Sequence, residues 1–246
     1  MGRQVDVRIP TPDGHGDGTL HVPDGEGPWP GVLMFPDAGG LRDTFRQMGD
    51  HVADLGYVTL VPDIYYRAGD WPPFDVATLF SDPKERARLG ELVTVLTNDR
   101  IVSDAGAYAE FLLARPEVTG SAIGTTGYCL GGRMSLVAAA GLGATIAAAA
   151  SFHGGRLAVD DPSSPHLAAD RITGTVYVAG AREDNSFTPE QADLLAKALT
   201  AAHVDHTVEF YDARHGFAVP DNPTYDADAD TRHWSALQRL YGDHLN

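Results

Sequence analysis

The sole cysteine of the chain, Cys129, stands in the run Gly127-Tyr128-Cys129-Leu130-Gly131-Gly132, between a strand-forming stretch and a helix-forming one. Small residues two positions to either side of a nucleophile mark a very tight strand-to-helix turn. Such a turn imposes strained dihedrals on its central residue, and glycines at 127 and 131 remove the Cβ atoms that would clash. It also points the positive end of the following helix at the thiol, which favours the thiolate that attacks carbonyl carbon. A cysteine packed beside a glycine-rich helix start is the bland alternative. The strand before and the helix after favour the nucleophile.

A nucleophile on this turn requires an acid and then a histidine, in that chain order, each after a later strand. A strand over 175–179 runs into Gly180-Ala181-Arg182-Glu183-Asp184-Asn185, which offers Asp184 as the orienting carboxylate and Glu183 as its competitor. A strand over 206–211 runs into Asp212-Ala213-Arg214-His215-Gly216-Phe217, which makes His215 the base, with a glycine behind it for a sharp return. Among the 10 histidines only His153, in Phe152-His153-Gly154-Gly155, also ends a strand. It precedes the acid, so a pocket-lining role is expected for it. No His-Glu-x-x-His or equivalent spacing occurs, so neither a metal nor another cofactor is expected.

The elements that position these residues follow from periodicity. Continuous or alternating apolar runs predict strands over 5–9, 19–22, 31–35, 57–61, 122–128, 146–152, 175–179 and 206–211. Helical spacing predicts helices over 44–55, 99–114, 189–202 and 226–245, and another opening at 131. The first two strands form an antiparallel pair turning around 14–18. Beyond them, strand and helix alternate, which implies a mostly parallel sheet of about seven or eight strands with helices on both faces. In such sheets ligands bind at the carboxyl ends of the strands, where each candidate above falls. The polar stretch 62–97 carries no assigned element, and residues 1–246 are read as one domain.

With 246 residues, 43% of them hydrophobic, the chain can bury a sizeable core. A formal charge of −16 makes nucleic acid and anionic membranes poor partners. No apolar window is long enough to span a bilayer. The opening Met1-Gly2-Arg3-Gln4-Val5-Asp6 lacks the apolar core of an export signal, and the lone cysteine precludes an internal disulfide, so a cytoplasmic protein is expected. The expected partner is a small molecule, and the expected assembly a monomer or small homo-oligomer.

With these residues placed, the chain resembles the dienelactone hydrolase (carboxymethylenebutenolidase) family of α/β-hydrolases over nearly its whole length. The resemblance rests on the cysteine turn with its doubled glycine. It is supported by Phe35-Pro36-Asp37-Ala38-Gly39-Gly40, Val61-Pro62-Asp63-Ile64-Tyr65-Tyr66-Arg67 and His215-Gly216-Phe217. It implies an α/β-hydrolase fold and a Cys129-His215-Asp184 triad that opens an enol-lactone or ester through an acyl-enzyme. The N–H groups of Leu130 and Ala38 would meet the oxyanion. Asp37 stands where the family has a glutamate that modulates the resting thiol. Arg88, or Arg86 beside it, resembles one of the arginines that hold a substrate carboxylate. The second arginine is replaced, since Gly216-Phe217-Ala218-Val219-Pro220 follows His215. Residues 64–98 would wall the site, with Tyr65, Tyr66, His153 and Phe217 as lining, although the wall aromatics could equally pack onto the sheet. A broad small-acyl carboxylesterase or thioesterase is the alternative activity. A non-catalytic binding protein is a third reading, which an intact triad disfavours.

Overall fold

Apolar runs buried on both faces belong at the centre of a sheet, and strands with one wet face at its edge. The computed structural model, which describes residues 2–245, follows that rule. The eight strands are β1 (Arg3–Thr11), β2 (Gly14–Val22), β3 (Trp29–Phe35), β4 (Val58–Pro62), β5 (Val118–Tyr128), β6 (Ile146–Phe152), β7 (Thr175–Glu183) and β8 (His206–Arg214). They form one sheet in the order β1-β2-β4-β3-β5-β6-β7-β8. The largely exposed β1 lies at one edge, and β2 pairs antiparallel with both β1 and β4. Every pairing from β4 through β8 is parallel. This is the α/β-hydrolase architecture.

Alternation along β3 separates two cores. Leu33 and Phe35 enter one, with residues of α3 (Asn98–Leu113), α4 (Leu130–Leu142) and α5 (Pro189–Ala201). Val32 and Met34 enter the other, with α1 (Asp43–Asp54) and α6 (Ala227–His244). The period of two along the strand and the helical spacing of Ile101, Ala105, Tyr108 and Leu112 on α3 are thus two sides of one packing solution. Among the described residues no helix is long and apolar enough to cross a membrane.

Two expectations require correction. The hairpin does not turn around 14–18. Thr11 pairs with Gly14, and the glycines at 14, 16 and 18 lie inside β2. Gly14 takes φ 136° where the strand begins, while Gly16 and Gly18 serve close packing: a Cβ on Gly16 would stand 2.9 Å from the Tyr108 hydroxyl, and one on Gly18 2.9 Å from the Val61 carbonyl. The stretch 62–97 also contains a helix, α2 (Pro83–Thr94). Its only buried residue is Leu89, too little apolar surface to create a period. Its start was nevertheless written in Asp82, whose carboxylate accepts the Lys84 N–H at 2.8 Å, and in Pro83 behind it.

The wall segment is fastened to the body by a buried ion pair. Asp104 on α3 accepts two hydrogen bonds from Arg67, at 2.6 and 2.8 Å, and one from the Tyr66 hydroxyl at 2.9 Å. Removing the carboxylate leaves the Arg67 guanidinium with Asp13 alone, at 2.7 Å, and takes the acceptor from the Tyr66 hydroxyl. Asp104→Ala should therefore cost about 1–3 kcal/mol of unfolding free energy, read from urea denaturation.

Candidate active site

The sharp turn between β5 and α4 sets the site. Cys129 sits at φ 53°, ψ −113°, a conformation L-residues rarely adopt. A Cβ on Gly127 would lie 1.9 Å from the Gly131 carbonyl oxygen, and one on Gly131 2.3 Å from that of Phe35. One on Gly132 would lie 2.5 Å from Ser151 Oγ. The turn is thus pressed against the ends of both β3 and β6. The Cys129 N–H donates to the Phe152 carbonyl at 3.1 Å, and the thiol side remains partly exposed.

His215 arrives from the loop after β8, where Gly216 takes φ 95° and lets the chain double back. Its Nδ1 meets Asp184 Oδ2 at 2.6 Å, while the Ser186 N–H donates to Asp184 Oδ1 at 2.7 Å. Glu183 is exposed. With Nδ1 taken by Asp184, Nε2 is the ring atom left for the sulfur. Burial works against the imidazolium, but hydrogen bonds to Asp184 and Cys129 and their charges outweigh it and raise His215 to about 10. Burial likewise works against the Asp184 anion, yet the bonds from His215 and Ser186 hold it below the usual carboxylate range. Behind His215, at 5.2 Å between ring centroids and nearly edge-on, lies His153. It is buried, and burial first, then His215 and His233, keep it well below the ordinary histidine range, so it stays neutral. Neither of its ring nitrogens has a hydrogen-bond partner among the described residues.

The loop after β3 forms the other wall. The buried Asp37 accepts from the Gly39 N–H at 2.8 Å and from both terminal nitrogens of Arg42 at 2.7 and 3.0 Å. Arg42 also reaches Asp221 on the histidine loop, at 2.7 and 2.8 Å. Both Asp37 oxygens are therefore engaged within the loop. The Tyr65 hydroxyl donates to the Ala38 carbonyl at 2.9 Å. Burial, then the charges of Asp37, Cys129 and Asp63, push that hydroxyl up, so it remains a donor. With its carbonyl so held, Ala38 lines a cleft with Cys129 and Leu130, and among the described residues neither the Ala38 nor the Leu130 N–H donates to another backbone group.

Two cavities meet at the sulfur. A small one is lined by Asp37, Leu79, Phe80, Cys129, His153 and His215. A larger open cleft of about 500 Å³ is walled by Ala38, Phe80, Val93 and Leu130, with Arg133, Arg156, Asp184 and Ser186 around it. The structure thus gathers Cys129, His215, Asp184, Ala38, Leu130, Asp37 and His153. Tyr65 braces the loop from behind, packed edge-on against Trp71. Tyr66 turns to Asp104, and Phe217 is fully buried against His153. Arg88 lines neither cavity: it donates to the Pro72 carbonyl at 2.6 Å, pairs with Glu85 at 2.5 Å and lies 3.7 Å over the Phe74 ring. Its contacts among the described residues all lie within the wall. Sequence reading missed Arg42, Arg133, Arg156 and Ser186. For Arg133 a signal existed, because it follows Cys129 by one helical turn and so shares its face.

Comparison with known proteins agrees with this geometry. Residues 17–245 match the model of the dienelactone hydrolase family. A carboxymethylenebutenolidase of Rhodococcus opacus is 26% identical over 233 residues, covering 92% of this chain and 86% of its own. A dienelactone hydrolase-like promiscuous phosphotriesterase from metagenomic libraries is 29% identical, superposes with a TM-score of 0.77 and is covered, like this chain, to 99%. A dienelactone hydrolase of Anabaena variabilis shares the fold at 18% identity, with a TM-score of 0.68 over 100% of this chain and 99% of its own.

The acid–histidine pair makes stability depend on pH in a defined direction. His215 is raised from 6.5 to about 10, so its contribution is complete below pH 6.5 and lost as pH rises through about 10. Asp184 is lowered from 3.8, so its contribution is complete above that pH and lost as pH falls below it. The Tm deficit of Asp184→Asn should be largest near about pH 5 to 6 and shrink towards about pH 10 in thermal melts.

Proposed function

The chain belongs to the dienelactone hydrolase family and is a carboxylic ester hydrolase, and from that premise we propose that it opens an enol-lactone or ester through a thioester on Cys129. The observation that carries this reading is the line Asp184, His215, Cys129, with a 2.6 Å bond at its acid end and a strained, cleft-facing nucleophile at the other. The raised basicity of His215 supports its taking the thiol proton on Nε2 as the sulfur is called on to attack. The thiolate attacks the carbonyl carbon, and the negative charge moves to the carbonyl oxygen, where the N–H groups of Ala38 and Leu130 would meet it. Collapse breaks the bond to the leaving oxygen, which takes the proton from His215. Neutral His215 then removes a proton from water, the hydroxide adds to the thioester, and the Cys129 thiolate departs. Asp184 fixes the tautomer and stabilises the imidazolium throughout.

Asp37, bonded to Gly39 and Arg42, acts in this scheme by shaping the oxyanion loop. A broader small-acyl esterase or thioesterase is the second reading, favoured by the apolar walls at Phe80, Val93 and Leu130.

On a neutral short-chain aryl ester, Cys129→Ala should abolish turnover and His215→Ala should lower kcat/KM by roughly 10³-fold or more. Tyr65→Phe, which frees the Ala38 carbonyl, should lower kcat about tenfold. Stopped-flow release of the aryl alcohol reads all three. A burst that survives in Cys129→Ala would overturn the covalent mechanism.

A further inference from the structure

His153 carries costs that its packing does not explain. It follows β6 directly, and its backbone sits at φ 39°, held there as its N–H donates to the Ala179 carbonyl at 2.8 Å. A non-glycine residue kept in that region stores strain, and such strain gathers at working sites. The side chain is buried, yet neither Nδ1 nor Nε2 has a hydrogen-bond partner among the described residues. Its ring neighbours are His215, Phe217 and Tyr128, at 5.2, 4.9 and 6.0 Å between centroids. A buried donor and a buried acceptor left unmatched are each costly, and a phenylalanine would pack there without either.

The residue lines the smaller of the two cavities at the sulfur. That space has a volume of about 10 Å³, enough for one water and too small for any group that carries carbon. Asp37, Cys129, His215 and Asn222 also border it, so a water there meets several polar groups, as buried waters do. Asn222 accepts at Oδ1 from the Thr224 N–H at 3.1 Å and from the Thr224 hydroxyl at 2.7 Å, which leaves Nδ2 to donate. The larger cleft, of about 500 Å³, has room for substrate. Ala38, Phe80, Cys129 and His215 border both spaces, which therefore meet where the thioester would form.

We infer that the small cavity holds the water that cleaves the thioester, and that His153 is the residue that orients it. This rests on the hydrolase reading above and deepens it, by separating the place of the water from the place of the substrate. Burial, His215 and His233 keep His153 neutral, so one of its ring nitrogens carries no proton and can accept. One hydrogen of the water goes to that nitrogen and the other to Nε2 of His215. Asn222 Nδ2 meets one lone pair, and the second is left for the carbonyl carbon. The C–O bond forms as His215 takes its proton, and the charge moves to the carbonyl oxygen. Collapse then breaks the C–S bond and releases the Cys129 thiolate. His153 gains no proton in this step; it contributes by holding a reactant in line for attack.

The test uses 4-nitrophenyl acetate, with quench-flow and protein mass to separate formation of the thioester from its breakdown. His153→Phe fills the same space without a polar atom. It should form the thioester within about twofold of the wild-type rate and break it down about tenfold more slowly, the effect of one well-placed hydrogen bond. His153→Gln, which keeps an acceptor, should recover part of that loss. 2-Mercaptoethanol removes the acetyl group by thioester exchange and is too large for the small cavity. With it in excess, His153→Phe and the wild-type protein should lose the acetyl group at rates within about twofold of each other. Formation and breakdown slowed together, breakdown unaffected, no gain from His153→Gln, or exchange slowed as much as hydrolysis would each overturn the assignment.

The site can also be seen without turnover. A high-resolution crystal structure of the wild-type protein should show one ordered water in the small cavity, within hydrogen-bond distance of a His153 nitrogen. A dry cavity would overturn the proposal even if His153→Phe does not fold. Failure of the hydrolase reading looks different: no acetyl group then appears on Cys129 of the wild-type protein, which removes the role of the water but not the water.

Discussion

A residue with a side chain held at φ 53° stays there only because its neighbours leave it no alternative, and Cys129 is held from three directions. Gly127 and Gly131 let the turn close on itself, Gly131 lets it lie against the end of β3, and Gly132 against β6. Each contact is too close for a Cβ. The strain of about 1–3 kcal/mol that such a conformation carries is offset by the packing of the sheet centre around it. Because the turn touches the ends of β3 and β6, the loops that leave those strands have fixed positions relative to the sulfur. Ala38 comes to lie beside Leu130, and His153 behind His215, as consequences of one backbone constraint.

Charge is arranged around that constraint against the trend of the whole molecule. The chain carries −16, yet the acids nearest the sulfur are neutralised by partners: Asp184 by His215, Asp37 by Arg42. What remains at the cleft is positive in character, from the start of α4, the imidazolium, and Arg133 and Arg156. In the proposed mechanism the attacking sulfur and the developing oxyanion would gain from that field. A low-dielectric wall of Phe80, Val93 and Leu130 strengthens it.

The fold was legible because β3 to β8 announce themselves by apolar runs and each reactive residue directly follows one. That rule selects Cys129, Asp184 and His215, which the structure brings together, and the 2.6 Å contact favours Asp184 over Glu183 in the proposed scheme. The wall was not legible. Helix α2 buries only Leu89, so its periodicity is weak, and its cap and proline were the only marks of it. Where the arginines end was not legible for a related reason. An arginine's function is set by where a long, flexible side chain ends, and Arg88 ends on Phe74 while Arg133 ends beside the sulfur's cleft. Gly16 and Gly18 looked like turn residues because sequence cannot distinguish a need for positive φ from a need for empty space beside Tyr108 and Val61.

Arg42 ties the loop that carries Ala38 to the loop that carries His215, gripping Asp37 with one side of its guanidinium and Asp221 with the other. It works as a latch between two parts that the chain connects only through most of the sheet. A displacement of the loop that carries His215 would therefore pull, through Arg42, on the loop that carries Ala38.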